Sequence, residues 1–558
     1  MPEGSGTPLS YFLIRLLFKF VLKIFYGTIV VEGTENIPKR GEPCIVCANH
    51  SNSLTDALLL VASIPWKRRN LLRLTAKSTQ FGKKTFTSWL IESAGTVPLQ
   101  RRQDVADGKV DNSNVLQKLL EALEIGDAVC LFPEGMSRYS PNIAPLKTGV
   151  ARIVSDVLTR NRNNPDFTIS VLTCSITYMH REHFRSDVLV TFHPPMKFSP
   201  KTHPELLAPV DFHNIRSLTA RIHQQISIGT LDAPSWRLIR IAKLAARMYA
   251  PLGTEMTLGD YVRIVRTFLD AFKIAEGVDV GGSVGAGPGT SGSEGEKEGH
   301  GEREAKVVDA KIVQLGQDLQ EYQNYLSHWG LKDDRIRRPL PRHIIIYRLL
   351  LRLFWSFTLL TLSIPGLLLW VPIFLTTFIA VRKFKQTGPV WDTYDEIAQY
   401  KLIYGLASGV VVWVGCMLVT FPVAAITAVV VPAVMWFSLR WLEDAVSSFR
   451  AVSSLGRLLW MGPSELQRLR ARRAELHGRV MHLAVDTLGL PPSPETHFAR
   501  GDTDGGGKDV GGNGKEVKGR VRGRWASKAK YFSLRRRRKR DWNETLRLYD
   551  KVDYPEDY

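Results

Sequence analysis

The stretch from Pro43 to Leu60 reads PCIVCANHSNSLTDALLL, a pattern that predicts a strand, a turn and a helix. It places a histidine and an aspartate at the end of a strand, where α/β enzymes hold their catalytic groups. Residues six apart on an ideal helix point about 240° apart, so His50 can meet Asp56 only from the turn. A neutral histidine can take a proton from an alcohol while a carboxylate holds its tautomer. A capping histidine and a helix N-terminal carboxylate are the alternative.

The composition indicates a large, basic protein with more than one compact region. The chain has 558 residues with 74 Lys and Arg against 54 Asp and Glu, a formal net charge of +20. Residues 508–540 alone hold fourteen basic and two acidic side chains. A basic segment of this kind is typical of tails that bind anionic membrane surfaces or nucleic acid. The odd number of cysteines in a large chain predicts reduced thiols facing a cytosolic compartment, and all five fall in apolar runs: Cys44, Cys47, Cys130, Cys174 and Cys416.

From Gly27 to about residue 200 the pattern predicts an α/β fold with a mostly parallel sheet flanked by helices. Continuous apolar runs such as Ala128–Phe132 are typical of strands that are buried on both faces. The segment Asn114–Ile125 has helical periodicity and ends at Gly126. Further strands are predicted at Val30–Gly33, Cys44–Ala48, Ile169–Ser175 and Asp187–Phe192.

Two loops at predicted strand ends carry groups that suit a small phosphorylated alcohol. The first runs from Gly95 to Arg101 and Arg102, and arginine presents a planar fork of donors that matches phosphate oxygens. The second, Phe132–Arg138, offers a carboxylate, a glycine, a hydroxyl and a further guanidinium: Glu134, Gly135, Ser137 and Arg138. Solvated surface arginines are the alternative for each loop taken singly.

These blocks, in this order, resemble the glycerolipid acyltransferase family, in particular its fungal glycerol-3-phosphate/dihydroxyacetone-phosphate branch. The family separates its histidine and aspartate by four residues. Here five residues lie between His50 and Asp56, a spacing similar to that of the fungal branch. The second block falls on Gly95 to Arg101, the third on Phe132 to Arg138 and the fourth on the strand Ile169 to Tyr178. The resemblance covers roughly residues 10–230.

The resemblance implies acyl transfer from acyl-CoA to the sn-1 hydroxyl of glycerol 3-phosphate or dihydroxyacetone phosphate. His50 would act as general base and Asp56 would orient it. Arg101 and Arg138 would hold the acceptor phosphate, while Glu134, Gly135 and Ser137 would shape the acceptor loop. The sequence contains no nucleophilic serine elbow and no metal or nucleotide motif, so direct transfer without a cofactor is expected. Acylation of a lysophospholipid at sn-2 and a non-catalytic membrane scaffold are the alternatives.

The N-terminal 31 residues predict an amphipathic helix that lies in the membrane interface. Arg15, Lys19 and Lys23 recur every four residues, so they form one basic stripe. A spanning helix would bury three charges in the membrane, and inserting each charge costs about 2.5–3.5 kcal/mol. A helix in the interface would bury none of them. A helix packed on the domain is the alternative.

Beyond residue 235 the chain predicts helices and membrane segments. A helical accessory region is expected over residues 235–335, with a glycine-rich linker at 277–306. The membrane region spans 336–445, where Leu353–Val381 and Leu402–Leu439 are uncharged and longer than the roughly 18 residues that mark a span. The second stretch is long enough for a hairpin that bends near Pro422.

The end of the chain predicts a helical segment at 446–500 and a disordered basic tail at 501–558 that contacts anionic headgroups rather than nucleic acid. The expected location is the endoplasmic reticulum membrane, multi-pass, with the active site facing the cytosol. If the catalytic domain and the basic tail both lie on the cytosolic side, the chain must cross the membrane an even number of times. This favours two complete crossings, or re-entrant hairpins, over three crossings.

Overall fold

A computed structural model describes residues 4–78, 81–82, 86–93, 96–100, 112–138, 140–180, 186–251, 254, 256–277, 298–337, 341–387 and 397–499. Within these ranges one compact unit takes the residues up to Asp232 together with Thr387 and residues 397–402. A second compact unit takes the others.

An eight-stranded sheet organises the first unit. Its strands are β1 (Thr28–Glu32), β2 (Cys44–Ala48), β3 (Arg73–Lys77), β4 (Val97–Leu99), β5 (Ala128–Leu131), β6 (Ile169–Tyr178), β7 (Asp187–Phe192) and β8 (Met196–Phe198). The order is β1-β7-β6-β2-β5-β3-β4, and β8 pairs with the first part of β6. Strand β6 is antiparallel to β7 and β8, and every other neighbouring pair is parallel. The predicted mostly parallel α/β sheet is confirmed.

The central strands are buried on both faces. Every residue of β2, β5 and β6 is buried, which the continuous apolar runs of β2 and β5 predict. The flanking helices are α1 (Leu9–Phe25), α2 (Leu54–Ser63), α3 (Phe86–Ser93), α4 (Ser113–Glu124), α5 (Gly149–Arg160) and α6 (Phe212–Ile228). One core cluster joins Ile45 of β2 and Val129 of β5 to α4, α5 and α6. Because β6, β2 and β5 are adjacent and parallel, their carboxyl ends lie side by side.

Helix α1 packs on the domain with one face and exposes another apolar face. It ends at Phe25 rather than at Val31, because β1 begins at Thr28 and pairs with β7. The guanidinium of Arg15 is buried and donates to the carbonyls of Ile64 and Arg69, so the predicted basic stripe does not face solvent along its whole length. The exposed apolar face consists of Leu9, Phe12, Leu13, Leu16, Leu17 and Phe20.

The second unit is helical, as predicted. Its helices, with α12 beginning in the first unit, are α7 (Trp236–Tyr249), α8 (Leu258–Ala275), α9 (Glu298–Trp329), α10 (Asp333–Arg337), α11 (Arg342–Thr387), α12 (Ile397–Val419), α13 (Ala424–Trp460), α14 (Pro463–His482) and α15 (Pro494–Ala499). A buried ion pair fixes α10 to α14, since Asp333 Oδ1 accepts from Arg473 Nε at 2.8 Å and from the Tyr322 hydroxyl at 2.9 Å.

Two predicted boundaries in this unit differ from the structure. Helix α9 begins at Glu298, inside the predicted linker 277–306, while residues 278–297 lie outside the described ranges. The predicted boundary between the membrane region and the helical segment, at residues 445 and 446, falls inside helix α13. This helix continues past Leu439, where Arg440 and Glu443 form an intrahelical ion pair at 3.2 Å. It ends just before Gly462 and Pro463.

Three helices of the described residues, α11, α12 and α13, are long and apolar enough to cross a membrane. Helix α11 extends beyond the predicted Leu353–Val381 at both ends. The predicted bend is present, since a short turn at Phe421–Val423 joins α12 to α13. Two indole N–H groups tie the helices together: Trp370 donates to the Met435 carbonyl at 2.9 Å, and Trp413 donates to the Ala428 carbonyl at 3.1 Å. The number of complete crossings stays a prediction, and the basic tail lies outside the described residues.

Candidate active site

The turn between β2 and α2 brings His50 and Asp56 together. Strand β2 ends at Ala48, and α2 begins at Leu54, so Asp56 lies in its first turn. His50 Nδ1 is 2.9 Å from Asp56 Oδ2. The His50 side chain is 18% exposed to solvent, whereas the Asp56 carboxylate is fully buried. A carboxylate accepts but does not donate, so Nδ1 carries the proton, and a neutral imidazole keeps its lone pair on Nε2.

Asp56 is held by three further donors. Oδ2 also accepts from the backbone N–H groups of Ser51 at 2.9 Å and Asn52 at 2.7 Å. Oδ1 accepts from the Tyr178 hydroxyl at 2.5 Å. Hydrogen bonds to an ionised acceptor are short and strong, so this set fixes the carboxylate in one orientation. The imidazole therefore meets a rigid partner.

A second set of contacts fixes the imidazole from the β5 side. The ring of His50 stacks on Phe132, with centroids 4.1 Å apart and planes inclined by 18°. Glu134 Oε1 accepts from the backbone N–H of His50 at 2.6 Å, and Oε2 accepts from that of Ala144 at 3.2 Å. Burial raises the pKa of the Glu134 carboxyl, while the two backbone donors act in the opposite direction. Both carboxylate oxygens of Glu134 thus accept from backbone N–H groups. Through the first of these hydrogen bonds, Glu134 connects the loop after β5 to the turn that contains His50.

The other predicted residues of this loop surround the same turn. Ser137 Oγ accepts from the backbone N–H of Ser53 at 2.9 Å. The backbone N–H of Arg138 donates to the His50 carbonyl at 3.3 Å, and its side chain is exposed. Gly135 has a φ of 77°, and an added Cβ would collide with the side chain of Lys147. Predicted residues Gly95 and Arg101 lie outside the described residues.

Several residues of the site were not predicted from the sequence. Behind Asp56, Tyr178 lies beside Tyr26, with ring centroids 6.0 Å apart, and the Tyr26 hydroxyl accepts from Asn52 Nδ2 at 3.2 Å. Burial, and then the negative charge of Asp56, raise the pKa of both tyrosines well above the usual value. Both phenols therefore stay protonated, and Tyr178 remains a hydrogen-bond donor. A tyrosine at the end of a predicted strand was the available sequence signal.

We expect Tyr178→Phe to lower kcat by roughly tenfold, because it leaves a buried carboxylate oxygen unsatisfied at a cost of about 1–3 kcal/mol and loosens the partner of His50. Steady-state kinetics and thermal unfolding of the full chain measure this. Tyr249→Phe is the matched control, since its hydroxyl donates to the Pro491 carbonyl at 2.7 Å in the second unit. Equal kcat for Tyr178→Phe and wild type would refute a role for this hydroxyl.

Two family models match the chain. Residues 28–177 match the model described as Acyltransferase, and residues 304–491 match that of the glycerol-3-phosphate acyltransferase 2 C-terminal domain. The chain therefore combines an acyltransferase domain, which contains His50, Asp56 and the loop after β5, with a C-terminal domain of that type. The resemblance drawn from the motifs is confirmed.

Three of the relatives are fungal proteins of low identity. An uncharacterized acyltransferase of Schizosaccharomyces pombe is 20% identical over 86% of this chain and 81% of its own length. Saccharomyces cerevisiae glycerol-3-phosphate O-acyltransferases 2 and 1 are 22% and 23% identical, over 73% and 53% of this chain. The alignments span 64% and 36% of those two enzymes, less than two thirds of their length. These homologues support the fungal branch.

A solved structure is also similar. The 1-acyl-sn-glycerophosphate acyltransferase PlsC from Thermotoga maritima is 21% identical and matches 39% of this chain and 79% of its own, with a TM-score of 0.27.

Proposed function

We propose that this chain transfers an acyl group from acyl-CoA to the sn-1 hydroxyl of glycerol 3-phosphate, or of dihydroxyacetone phosphate, and that glycerol 3-phosphate yields lysophosphatidate. The hydrogen bond between His50 Nδ1 and a buried Asp56, which leaves Nε2 as a proton acceptor, carries the proposal. The substrate is supported by the two Saccharomyces cerevisiae relatives, which are named glycerol-3-phosphate O-acyltransferases.

His50 performs the proton transfers in the proposed reaction. Nε2 takes the proton of the acceptor hydroxyl while the hydroxyl oxygen forms a bond to the thioester carbon. The tetrahedral intermediate then collapses with cleavage of the carbon–sulfur bond, and the imidazolium returns the proton to the departing thiolate. Asp56 stabilises the imidazolium between these two steps. The chain supplies no covalent nucleophile in this scheme and uses no cofactor.

The acceptor phosphate binds cations of the loops around His50. Arg138 ends the loop after β5, and the side chain of Lys147 lies against Gly135 of the same loop. Arg101, which follows β4 by two residues in the sequence, is proposed as a further phosphate ligand on the basis of the family resemblance. Guanidinium groups match phosphate oxygens by paired donors.

The enzyme works at a membrane, and we place it in the endoplasmic reticulum with its active site facing the cytosol. Helices α11, α12 and α13 meet the length and composition of membrane spans. The exposed apolar face of α1, with Leu13, Leu16 and Phe20 between 54% and 57% exposed, fits a helix that rests in the interface. The basic tail would add contact with anionic headgroups.

Acylation of lysophosphatidate at sn-2 is a second candidate within the same class. Chloroplastic 1-acyl-sn-glycerol-3-phosphate acyltransferases of Brassica napus and Arabidopsis thaliana are 27% and 26% identical, each over 26% of this chain. The same histidine and aspartate would serve either acceptor, so the dyad does not separate the two reactions.

An acceptor panel tests the proposal. The full chain in membranes is given labelled acyl-CoA with glycerol 3-phosphate, dihydroxyacetone phosphate, lysophosphatidate or another lysophospholipid. We expect kcat/KM for one of the two small acceptors to exceed that for lysophosphatidate by about tenfold or more, because a site built for a small polar acceptor discriminates against an attached chain. A preference for lysophosphatidate would assign the sn-2 reaction, and acylation of none of the four would refute acyl transfer.

A further inference from the structure

Ser53, between His50 and Asp56, has an unusual backbone conformation. Its φ is 48° and its ψ is −134°, and it is the only non-glycine residue with positive φ among those described. It occupies the N-cap position of α2, but its own side chain does not cap the helix. A β-carbon is disfavoured in this region, so the surrounding structure must hold the conformation.

Two side chains hold Ser53 from different parts of the chain. Ser137, on the loop after β5, accepts from its backbone N–H at 2.9 Å. On the other side, Gln399 Oε1 accepts from Ser53 Oγ at 3.0 Å and from the backbone N–H of Leu54 at 3.4 Å. The amide oxygen of Gln399 thus supplies the cap that Ser53 does not supply to α2.

Gln399 is held in this position by its own helix. It lies in the first turn of α12, the start of which belongs to the compact unit of the acyltransferase domain. Its neighbours Ile397 and Ala398 are buried, as is Leu402 one turn later. The first turn of a membrane-type helix is therefore anchored in the catalytic unit by apolar side chains, with one polar side chain directed at the catalytic turn.

We propose that Gln399 is a positioning residue for acyl transfer, by which the first turn of α12 completes the catalytic turn within the same compact unit. The backbone path is short: the N–H of Asn52 binds Asp56 Oδ2, Ser53 follows, and Leu54 begins the helix that carries Asp56. Loss of the Gln399 contact lets Ser53 relax and moves the carboxylate relative to the imidazole. This inference rests on the proposed function, because it concerns the geometry of the same dyad.

The test compares two variants. Gln399→Leu removes the side-chain oxygen that accepts from Ser53 and Leu54 while keeping a side chain of similar size, and Gln399→Glu retains an accepting oxygen. We expect Gln399→Leu to lower kcat by roughly tenfold with KM for the acyl donor unchanged, below the ~10²-fold loss that a 1 Å misplacement produces. Gln399→Glu restores kcat to within about threefold of wild type, because a carboxylate near a helix N-terminus is also a favourable acceptor. Gln467→Leu, an exposed residue of α14, is the matched control.

A readout without turnover separates this inference from the proposed function. Amide hydrogen exchange of the peptide spanning residues 49–60 is expected to quicken by about tenfold in Gln399→Leu and not in Gln399→Glu or Gln467→Leu. If the wild type acylates no acceptor, the proposed function fails and the exchange result alone decides the positioning role. Unchanged exchange in Gln399→Leu overturns the inference, as does a loss of kcat that Gln399→Glu fails to restore.

Discussion

Replacing His50 with alanine is expected to lower kcat by about 10²- to 10⁴-fold, the usual contribution of a positioned general base. The fold should persist, since Asp56 retains three other donors in Ser51, Asn52 and Tyr178. His50→Gln refines the test, because an amide can still bind Asp56 but cannot take a proton near neutral pH. Both variants should bind acyl-CoA with nearly unchanged affinity and unfold within a few degrees of wild type.

The matched control is His213→Ala, which removes an exposed imidazole on α6, away from the catalytic turn. It should leave kcat and unfolding unchanged. Steady-state rates with the preferred acceptor, and binding of acyl-CoA measured separately, distinguish a lost chemical step from lost substrate binding. A His50→Gln variant that kept more than about a tenth of wild-type kcat would contradict general-base catalysis. A scaffold role predicts that both variants keep full biological function in cells.

Local sequence carries enough information to predict the dyad and the sheet that holds it. His50 and Asp56 are six residues apart, so a single turn decides whether they meet, and the apolar runs around them fix the strand and the helix. The buried strands β2 and β5 likewise follow from unbroken apolar runs, whereas β6 carries serine and threonine at four of its ten positions and is buried along its whole length. These features depend on short-range periodicity alone.

Long-range contacts account for what sequence reasoning missed. Tyr178 reaches Asp56 across 122 positions because β6 lies beside β2, an order that local pattern does not determine. The role of Glu134 in shaping the acceptor loop stays a prediction, but its contacts with the backbone N–H groups of His50 and Ala144 could not be read from the sequence. Gln399 is 346 positions from Ser53 and carries no motif. In each case the residue type could be read from the sequence, but the direction of its side chain could not.

Asp56→Asn should isolate the charge of the carboxylate from its geometry. Asn Oδ1 can take the place of Asp56 Oδ2 and still accept from Ser51 N, Asn52 N and the imidazole. The amide NH₂ then faces the hydroxyl of Tyr178, which can rotate to accept. The opposite orientation would set the NH₂ against two backbone donors, so it is disfavoured. The histidine tautomer is therefore retained, and only the negative charge is lost.

The expected loss follows from the attraction between that charge and the imidazolium. At about 4 Å and an effective dielectric constant of 20 the attraction is about 4 kcal/mol. Because each 1.36 kcal/mol is tenfold in rate, we expect kcat to fall by roughly 10³-fold, with unfolding temperature nearly unchanged. Steady-state kinetics with the preferred acceptor, alongside thermal unfolding, checks both expectations.

Asp127→Asn is the matched control for a buried aspartate outside the site. Asp127 immediately precedes β5, at the end of that strand opposite the dyad, and its Oδ2 accepts from Arg73 Nε at 2.8 Å. Removing its charge weakens a partly buried ion pair, so it should lower stability and leave kcat within about twofold of wild type. If Asp56→Asn instead kept kcat within about tenfold of wild type, orientation alone would account for Asp56, because a charge effect of the size given above could not be present.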